Sequence, residues 1–324
     1  MKRRIFSAIL LLALLLTAAC QPERTQTITA YYSQPDAADS EAGNITFTDA
    51  LGREITLDKP QRVAAMIGSF ADVWCLAGGQ DTLVAAANDS WTSFELPLGE
   101  EVANIGSSKA PNVELLLGAE PDFIMASSNT SANLELLDTF EQSGIPTAYF
   151  DILSFDDYLE LLELCARLTG HPENFETYGA AVQAQVEEAL SRQDGSHPTV
   201  LNIRASGSKC EVKGSEGNVL GEMLAEMGCI NVADQDGSLL EDLSLEAIIQ
   251  ADPDYIFAVL QSADASEAME TLEATLLSNP AWSSLRAVRE GRFYTMEHRL
   301  YNLKPNARWG EASGRLADIL YGGQ

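Results

Sequence analysis

Side chains that could bind a ligand follow several predicted strands of this sequence. In the N-terminal half these are hydroxyl, amide and aromatic groups, namely Ser69, Phe70, Trp91, Ser127, Ser128 and Asn129. In the C-terminal half they are mainly basic and aromatic, namely Arg204, Lys209, Lys213, Gln261, His298, Arg299, Tyr301, Lys304, Arg308 and Trp309. Loops at the carboxyl ends of parallel strands form the binding crevice of open α/β sheets. The sequence therefore predicts a site in which a hydroxyl-bearing and aromatic wall faces a basic one.

The chemistry that suits this set is recognition of an anionic or oxygen-rich molecule. Arg binds such oxygens through paired hydrogen bonds, and residues 200–324 hold 10 Lys and Arg against 7 in residues 21–199. A bare divalent metal fits poorly, because His171 and His197 both lie beside a proline in predicted loops. Haem stays an alternative, with His298 or Tyr301 as the axial ligand.

The motifs that carry common catalytic mechanisms are missing from the sequence. It contains no GxSxG, HExxH, P-loop or strand-linked GxGxxG pattern, and the glycine-rich segment 214–217 lacks the GK[ST] ending that cradles phosphates. We therefore expect a protein that is not an enzyme and needs no cofactor.

The N-terminus has the features of an export signal. Lys2, Arg3 and Arg4 precede an apolar run, and Leu16-Thr17-Ala18-Ala19 leads into Cys20. Residues 1–19 are predicted to be a signal peptide. The polar residues 20–43 have no apolar periodicity and predict a flexible tether.

Net charge limits the kinds of partner that the protein could bind, and the cysteine positions limit its possible disulfides. Without residues 1–19, 17 Lys and Arg remain against 48 Asp and Glu, which argues against nucleic acid or an anionic membrane surface as a partner. The four cysteines after Cys20 form no CxxC pair. A Cys210–Cys229 disulfide is left open by the sequence, whereas Cys75 and Cys165 fall in apolar helical patterns that favour buried thiols.

The predicted elements that position these residues form an α/β fold. After a hairpin at 45–57, strands alternate with helices in both halves, which predicts parallel sheets covered on both faces. We predict an N-terminal lobe at 44–154, a helical connection at 155–195 and a C-terminal lobe at 196–324. Within the connection, one helix from Glu173 to Arg192 is long enough, at about 1.5 Å per residue, to bridge two lobes.

One pattern occurs in both halves. Residues 112–124 and 243–256 each read as a short helix, an acidic-Pro-Asp turn and an apolar strand. Because proline disfavours helix at the preceding residue, each helix must end there. Glu114 and Glu246 occupy equivalent positions at the starts of the two helices. Either carboxylate alone would be explained by the helix dipole, but a matched pair predicts a shared role.

The paired helix–Pro-Asp–strand units and the small residues before Cys20 resemble class III substrate-binding lipoproteins of ABC importers. The resemblance covers residues 45–322. It implies two Rossmann-like lobes with parallel sheets, joined by one long helix, and an iron–siderophore, haem or vitamin B12 ligand in the cleft between them. It implies lipidation of Cys20 and anchoring to the outer side of the cell membrane. Glu114 and Glu246 would dock onto the dimeric permease and its ATPase, with the chain acting as a monomer.

Two other classes of function remain as distant alternatives, namely an enzyme and a sensory or adhesive surface lipoprotein. Adhesins usually carry repeats or long low-complexity stalks, and the sequence shows neither.

Overall fold

The computed structural model describes residues 43–241, 243–261 and 265–322. The predicted signal peptide, the predicted lipidation site Cys20 and nearly all of the predicted tether lie outside these residues. Among the described residues, no helix has both the length and the apolarity needed to cross a membrane.

A two-stranded hairpin precedes the first large sheet. Strands β1 (Ile45–Thr48) and β2 (Glu54–Leu57) pair antiparallel, as their alternating sequence predicts. The carboxylate of Asp49 in the turn accepts hydrogen bonds from the backbone N–H groups of Arg53, at 2.9 Å, and Tyr149, at 3.1 Å. Because Tyr149 belongs to the first large sheet, this carboxylate holds the hairpin against it.

Five parallel strands form the first sheet, in the spatial order β5–β4–β3–β6–β7. The strands are β3 (Val63–Ala65), β4 (Leu83–Ala86), β5 (Ala103–Asn104), β6 (Phe123–Ser127) and β7 (Thr147–Phe150). The helices between them are α1 (Gly68–Leu76), α2 (Asp89–Thr92), α3 (Val113–Gly118), α4 (Ser131–Leu134) and α5 (Leu137–Ser143). The central strands are buried along their whole length because helices cover both faces of the sheet.

A long helical segment connects the two sheets. Helix α6 (Phe155–Thr169) begins at a capping box in which Ser154 and Asp157 satisfy each other's backbone N–H groups, and it ends at Gly170 with φ +77°. Helices α7 (Glu173–Phe175) and α8 (Ala181–Leu190) follow.

The predicted single helix from Glu173 to Arg192 is helical to Leu190 but is not a regular α-helix. A π-helical turn, Glu176–Ala180, separates α7 from α8. A Cβ atom on Gly179 would lie 2.8 Å from the ring of Phe175, so the close approach of that ring requires glycine.

The second sheet has parallel strands in the spatial order β10–β8–β11–β12, and β9 pairs antiparallel with β8. The strands are β8 (Thr199–Ala205), β9 (Cys210–Lys213), β10 (Ile230–Asn231), β11 (Tyr255–Leu260) and β12 (Phe293–Met296). The helices are α9 (Val219–Glu226), α10 (Val232–Gln235), α11 (Ser238–Glu241), α12 (Leu245–Ala251), α13 (Ser266–Leu272), α14 (Arg286–Arg289), α15 (His298–Tyr301) and α16 (Trp309–Tyr321).

Three strands were missed by the sequence analysis. Strands β5 and β10 have two residues each, too few to show a periodicity. The sequence from Arg204 to Lys213 predicts a loop, but its last four residues form β9, in which only Val212 is buried. The sequence at 133–143 predicts one helix, but the structure divides this segment between α4 and α5.

One continuous cluster of buried apolar side chains runs through both lobes. It includes Phe150 of the first sheet, Leu161 and Val186 of the connecting helices, Phe257 of the second sheet and Leu316 of α16. Each lobe also has a separate cluster on the other face of its sheet. The shared cluster fixes the connecting helices against both sheets.

Candidate functional site

A cleft of about 540 Å³ lies between the carboxyl ends of the two sheets. The first lobe contributes the residues that follow β4, and the second lobe contributes the ends of β11 and β12 and the residues after them. The lining residues are Thr92, Ser93, Glu95, Leu260, Ala265, Thr295, Met296, Glu297, His298, Arg299 and Arg308. Ligand-binding cavities in proteins range from about 300 to 1,000 Å³, so the cleft can hold a small molecule.

Arg299 lies on the floor of the cleft and contacts both lobes. Its guanidinium is 3.2 Å from the carboxylate of Asp72, lies 4.0 Å over the ring of Phe94, and donates to the carbonyl of Lys304 at 2.6 Å. Burial raises the pKa of the Asp72 carboxyl, and a hydrogen bond from Asn306 and the charge of Arg299 oppose this rise.

His298 also lines the cleft. Its Nδ1 is 3.0 Å from the carbonyl oxygen of Leu260, and because a carbonyl only accepts, Nδ1 carries the proton. Burial lowers the pKa of the imidazole, which favours the neutral ring. In that ring Nε2 is an acceptor with a free lone pair.

Arg308 carries a positive charge that nearby carboxylates partly balance. Its guanidinium lies 2.7 Å from Glu311 and 3.4 Å from Glu297. Hydrogen bonding to Glu311 raises the pKa of Arg308. This part of the cleft therefore presents mixed charge.

A second group of charged side chains meets where β6, β7 and β8 end. Asn129 donates to the carboxylate of Asp151. Burial raises the pKa of Asp151, and the charge of Lys304 opposes this rise. Burial also lowers the pKa values of Lys304 and Arg204. The charge of Asp151 opposes this at Lys304 and the charge of Glu211 opposes it at Arg204, while the charge of Arg204 lowers the pKa of Lys304 further.

Lys209 and Lys213 flank the hairpin formed by β8 and β9. Both contact Glu211, at 2.5 Å and 3.1 Å. The hydrogen bond from Lys209, together with the hydrogen bond from Lys213 and the charges of both, lowers the pKa of the Glu211 carboxyl. Lys209 is exposed near the turn of the hairpin, and Lys213 is half-buried.

Five side chains that the sequence predicted to contact the ligand are buried in the interior: Ser69, Phe70, Ser127, Tyr301 and Trp309. Phe70 packs edge-on against Phe150, and Trp309 packs against Phe155 and Tyr158. The Tyr301 hydroxyl donates to the carbonyl of Ala312. The burial of these five side chains leaves little of their surface accessible, and their contact with a ligand stays a prediction.

The other predicted contacts, Trp91, Ser128, Asn129 and Gln261, keep some exposed surface. Thr92, Ser93, Glu95 and Glu297 line the cleft but were missed by the sequence analysis. Thr92 ends the one-turn helix α2 and Ser93 follows it, directly after the predicted contact Trp91.

Glu114 and Glu246 occupy equivalent positions, as the repeated pattern predicts. Each is the second residue of its helix, after Asn112 in α3 and after Ser244 in α12, whose side chains cap those helices. Both glutamates are exposed.

Across the described ranges, no group of three or more His, Cys, Asp or Glu side chains could hold a metal ion.

The cysteines after Cys20 form no disulfide. Cys75, Cys165, Cys210 and Cys229 are free thiols, so Cys210 and Cys229 are not bridged. Of these, Cys165 is buried, as its position in an apolar helical pattern predicts, and Cys75 is half-buried.

Comparison with known proteins identifies the fold. The chain is 24% identical over 332 residues to the iron-uptake system-binding protein of Bacillus subtilis (strain 168), covering 98% of this chain and 96% of that protein. It is 24% identical over 203 residues to the vitamin B12-binding protein of Pectobacterium atrosepticum, covering 61% of this chain and 71% of that protein. The apo periplasmic heme-binding protein RhuT from Roseiflexus sp. RS-1 superposes with a TM-score of 0.65 at 24% identity, over 81% of this chain and 98% of that one.

These neighbours confirm the two-lobed α/β fold with parallel sheets that the sequence predicted. The model of the periplasmic binding protein family matches residues 63–300. Members of this family bind a transported substrate and are not enzymes, as expected from the missing catalytic motifs. The chain belongs to the periplasmic binding protein family, as a substrate-binding protein of the ABC importer type.

Proposed function

We propose that this protein captures an anionic, oxygen-rich metal chelate of the iron–siderophore type in the cleft between its lobes. It then delivers the chelate to an importer permease, as a monomer anchored to the outer side of the cell membrane through a lipid on Cys20. The similarity to an iron-uptake system-binding protein along nearly the whole chain supports this ligand class.

The observation that supports the proposal is the pair of neighbouring cations, Arg204 and Lys304. Burial disfavours their charged forms more than the charges of Asp151 and Glu211 favour them. A carboxylate- or catecholate-rich ligand would add negative charge beside them, and Arg would bind two of its oxygens at once. Lys209 and Lys213 would extend this basic wall.

Titration of the purified protein tests the ligand class. Isothermal calorimetry with ferric citrate, a ferric catecholate, haemin and cyanocobalamin should give the tightest binding with a ferric chelate. The double variant Arg204→Gln, Lys304→Gln should weaken that binding by about 100-fold or more, since each lost charged hydrogen bond costs roughly 1.5 kcal/mol or more. The exposed Lys59→Gln is the matched control and should bind as the wild type does. Equal affinity of the double variant would count against the proposal.

Haem or a corrinoid is the second candidate, and His298 favours it. With Nδ1 donating to Leu260, the neutral ring offers Nε2 to an axial metal position. Tight haemin binding with a Soret band that His298→Gln shifts would support this candidate over a siderophore.

For the delivery step we propose that Glu114 and Glu246 contact basic pockets of the permease. Their matched and exposed positions support this role. In a strand–helix–strand unit with parallel strands, the helix begins where the first strand ends, at the carboxyl edge of the sheet. This is the edge that carries the cleft. Both carboxylates would therefore face the membrane together with the ligand. Paired charges at an interface fix orientation more than they raise affinity, which suits a transient complex.

A further inference from the structure

A groove of about 480 Å³ runs along helix α3 on the first lobe, outside the ligand cleft. We call it the α3 groove. It begins at Glu114 and Leu115 and continues towards the starts of β3 and β4. Its lining residues are Arg62, Asp81, Leu83, Val84, Glu101, Ala103, Glu114, Leu115, Gly118 and Ala119.

The α3 groove has an apolar part that the solvent reaches. Leu115 has 49% of its surface exposed, the largest fraction among the large apolar side chains of the described residues. Behind it the groove is lined by short apolar side chains and by Gly118. The equivalent position in the second lobe, directly after Glu246, is Ala247, so that lobe presents no matching leucine.

The charge of the α3 groove is negative. Asp81, Glu101 and Glu114 line it, against one cation, Arg62. The guanidinium of Arg62 is already engaged, donating to the carbonyls of Ala119 at 2.5 Å and Glu120 at 2.8 Å. The free carboxylates therefore favour an occupant with a basic side chain.

We propose that the α3 groove receives a segment of the importer permease that carries a basic side chain next to an aliphatic one. This inference rests on the proposed function, because it extends the contact made by Glu114. Glu114 and the carboxylates of the groove attract the basic group, and Leu115 packs against the aliphatic one. Because the second lobe lacks an equivalent of Leu115, the two lobes dock unequally, and the first lobe contributes the larger share of the affinity.

The apolar contact is tested with Leu115→Ala, measured as the dissociation constant for the cognate permease–ATPase complex in nanodiscs. We expect about a fivefold weakening, as for the loss of a partly buried leucine. Leu240→Ala is the control, because Leu240 has 48% of its surface exposed but lies on α11 of the other lobe. This control should bind as the wild type does.

The charged contact is tested with the double variant Asp81→Asn, Glu101→Gln. We expect the association rate to fall about threefold or more at low salt, with the difference shrinking as salt screens the charges. The double variant Glu54→Gln, Asp58→Asn removes two exposed carboxylates of the hairpin region and should leave the rate unchanged.

The charge reversals Glu114→Lys and Glu246→Lys separate this inference from the proposed function. If neither weakens binding to the importer complex, docking through the glutamates is wrong. If the charge reversals weaken binding to the importer complex but the α3-groove variants do not, docking through the glutamates stands and the role of the α3 groove is overturned. The α3-groove variants are Leu115→Ala and the double variant Asp81→Asn, Glu101→Gln. Loss of self-association in Leu115→Ala, with unchanged binding to the importer, would assign the groove to a second copy of this chain and would also overturn it.

Discussion

Arg299 shows how one half-buried side chain can hold two lobes together. Its ion pair with Asp72 and its contact with the ring of Phe94 both reach from the second lobe to the first. Asn306 adds hydrogen bonds to the same carboxylate at 2.8 Å and to the carbonyl of Ser69 at 2.9 Å. Removal of one partner of a pair that is largely shielded from solvent leaves the other charge without compensation, which costs more than the pair itself contributes.

Arg299→Ala should therefore lower the free energy of unfolding by about 2–4 kcal/mol. Arg299→Lys should cost less, about 1–2 kcal/mol, because a lysine keeps the charge but loses the planar group that lies over Phe94. Urea denaturation followed by circular dichroism measures both. Arg192→Ala removes the surface pair with Asp318 and should cost about 1 kcal/mol or less. An equal loss in Arg192→Ala and Arg299→Ala would contradict the role given to Arg299.

At the scale of elements, the Pro-Asp turn of each lobe forms hydrogen bonds to the start of a neighbouring strand. The carboxylate of Asp122 accepts from the backbone N–H groups of Gln61 and Arg62, both at 2.9 Å, just before β3. The carboxylate of Asp254 accepts from the backbone N–H and hydroxyl of Thr199, at 2.9 and 2.7 Å, at the start of β8. Each turn thus ties one strand to its neighbour.

The residue before each proline has a left-handed backbone. The φ angle is +50° at Glu120 and +38° at Asp252. Proline makes a helical conformation unfavourable at that position. Helix α12 ends directly before Asp252, whereas α3 ends at Gly118, two residues before Glu120.

Asp254→Asn should destabilise the protein at neutral pH. Burial acts to raise the pKa of Asp254, but hydrogen bonds from Thr199 and the charge of Arg286 outweigh it and lower the pKa. A lowered pKa contributes stability above the pKa of the unfolded chain, about 3.9, and that contribution is lost as the pH falls towards the folded pKa. The free energy of unfolding should fall by about 1–2 kcal/mol at pH 7, and the difference from wild type should shrink below pH 4.

Urea denaturation of Asp254→Asn at pH 7 and pH 3 measures this difference. The exposed Glu163→Gln on α6 serves as the control and should leave stability nearly unchanged at both values. If Asp254→Asn lowered the free energy of unfolding by the same amount at both pH values, the charge of the carboxylate would contribute nothing to stability.

Most of the fold was predictable from the sequence, because the spacing of apolar residues marks strands and helices and the Pro-Asp turns mark where helices end. The alternation at 45–57, the apolar strands β6 and β11 and the Pro-Asp turns all gave elements that the structure contains. The π-helical turn at Glu176–Ala180 was not predictable, because the apolar periodicity of the sequence does not distinguish a π-helical turn from an α-helical one. The strand β9 was not predictable either, because its pairing with β8 is a tertiary contact.

The candidate site was predicted less well than the fold, because strand ends mark both the crevice and the core. Phe70 and Trp309 follow the same rule as His298 and Arg308, but the rings of Phe70 and Trp309 are buried, while His298 and Arg308 reach the cleft. Sequence order alone cannot tell which way a side chain points once a strand has ended. The helix α2 shifts the lining further along the chain to Thr92 and Ser93.

At the scale of the whole molecule, a shared core holds the lobes while the surface charge opposes compaction. The buried cluster that joins α6, α8 and α16 to both sheets favours small movements of the lobes. The net charge of the complete chain is −28, and a net charge far from zero destabilises a folded protein through self-repulsion. Arg204 and Lys304 lie within this negative field, and we expect them to attract anions locally.

Salt should therefore act on stability and on ligand binding in opposite directions. Between about 10 and 150 mM NaCl the screening length falls from roughly 30 to 8 Å, so repulsion between distant carboxylates weakens and the melting temperature of the apo protein should rise by several degrees. Over the same range the attraction between the basic wall and an anionic ferric chelate is screened, and the dissociation constant should increase severalfold. Differential scanning fluorimetry and calorimetry, run in matched buffers with NaCl and then with KCl, measure the two effects. If the melting temperature fell with salt, attractive ion pairs would outweigh the repulsion, and an affinity insensitive to salt would argue that the ligand is held by apolar contacts instead of by Arg204 and Lys304.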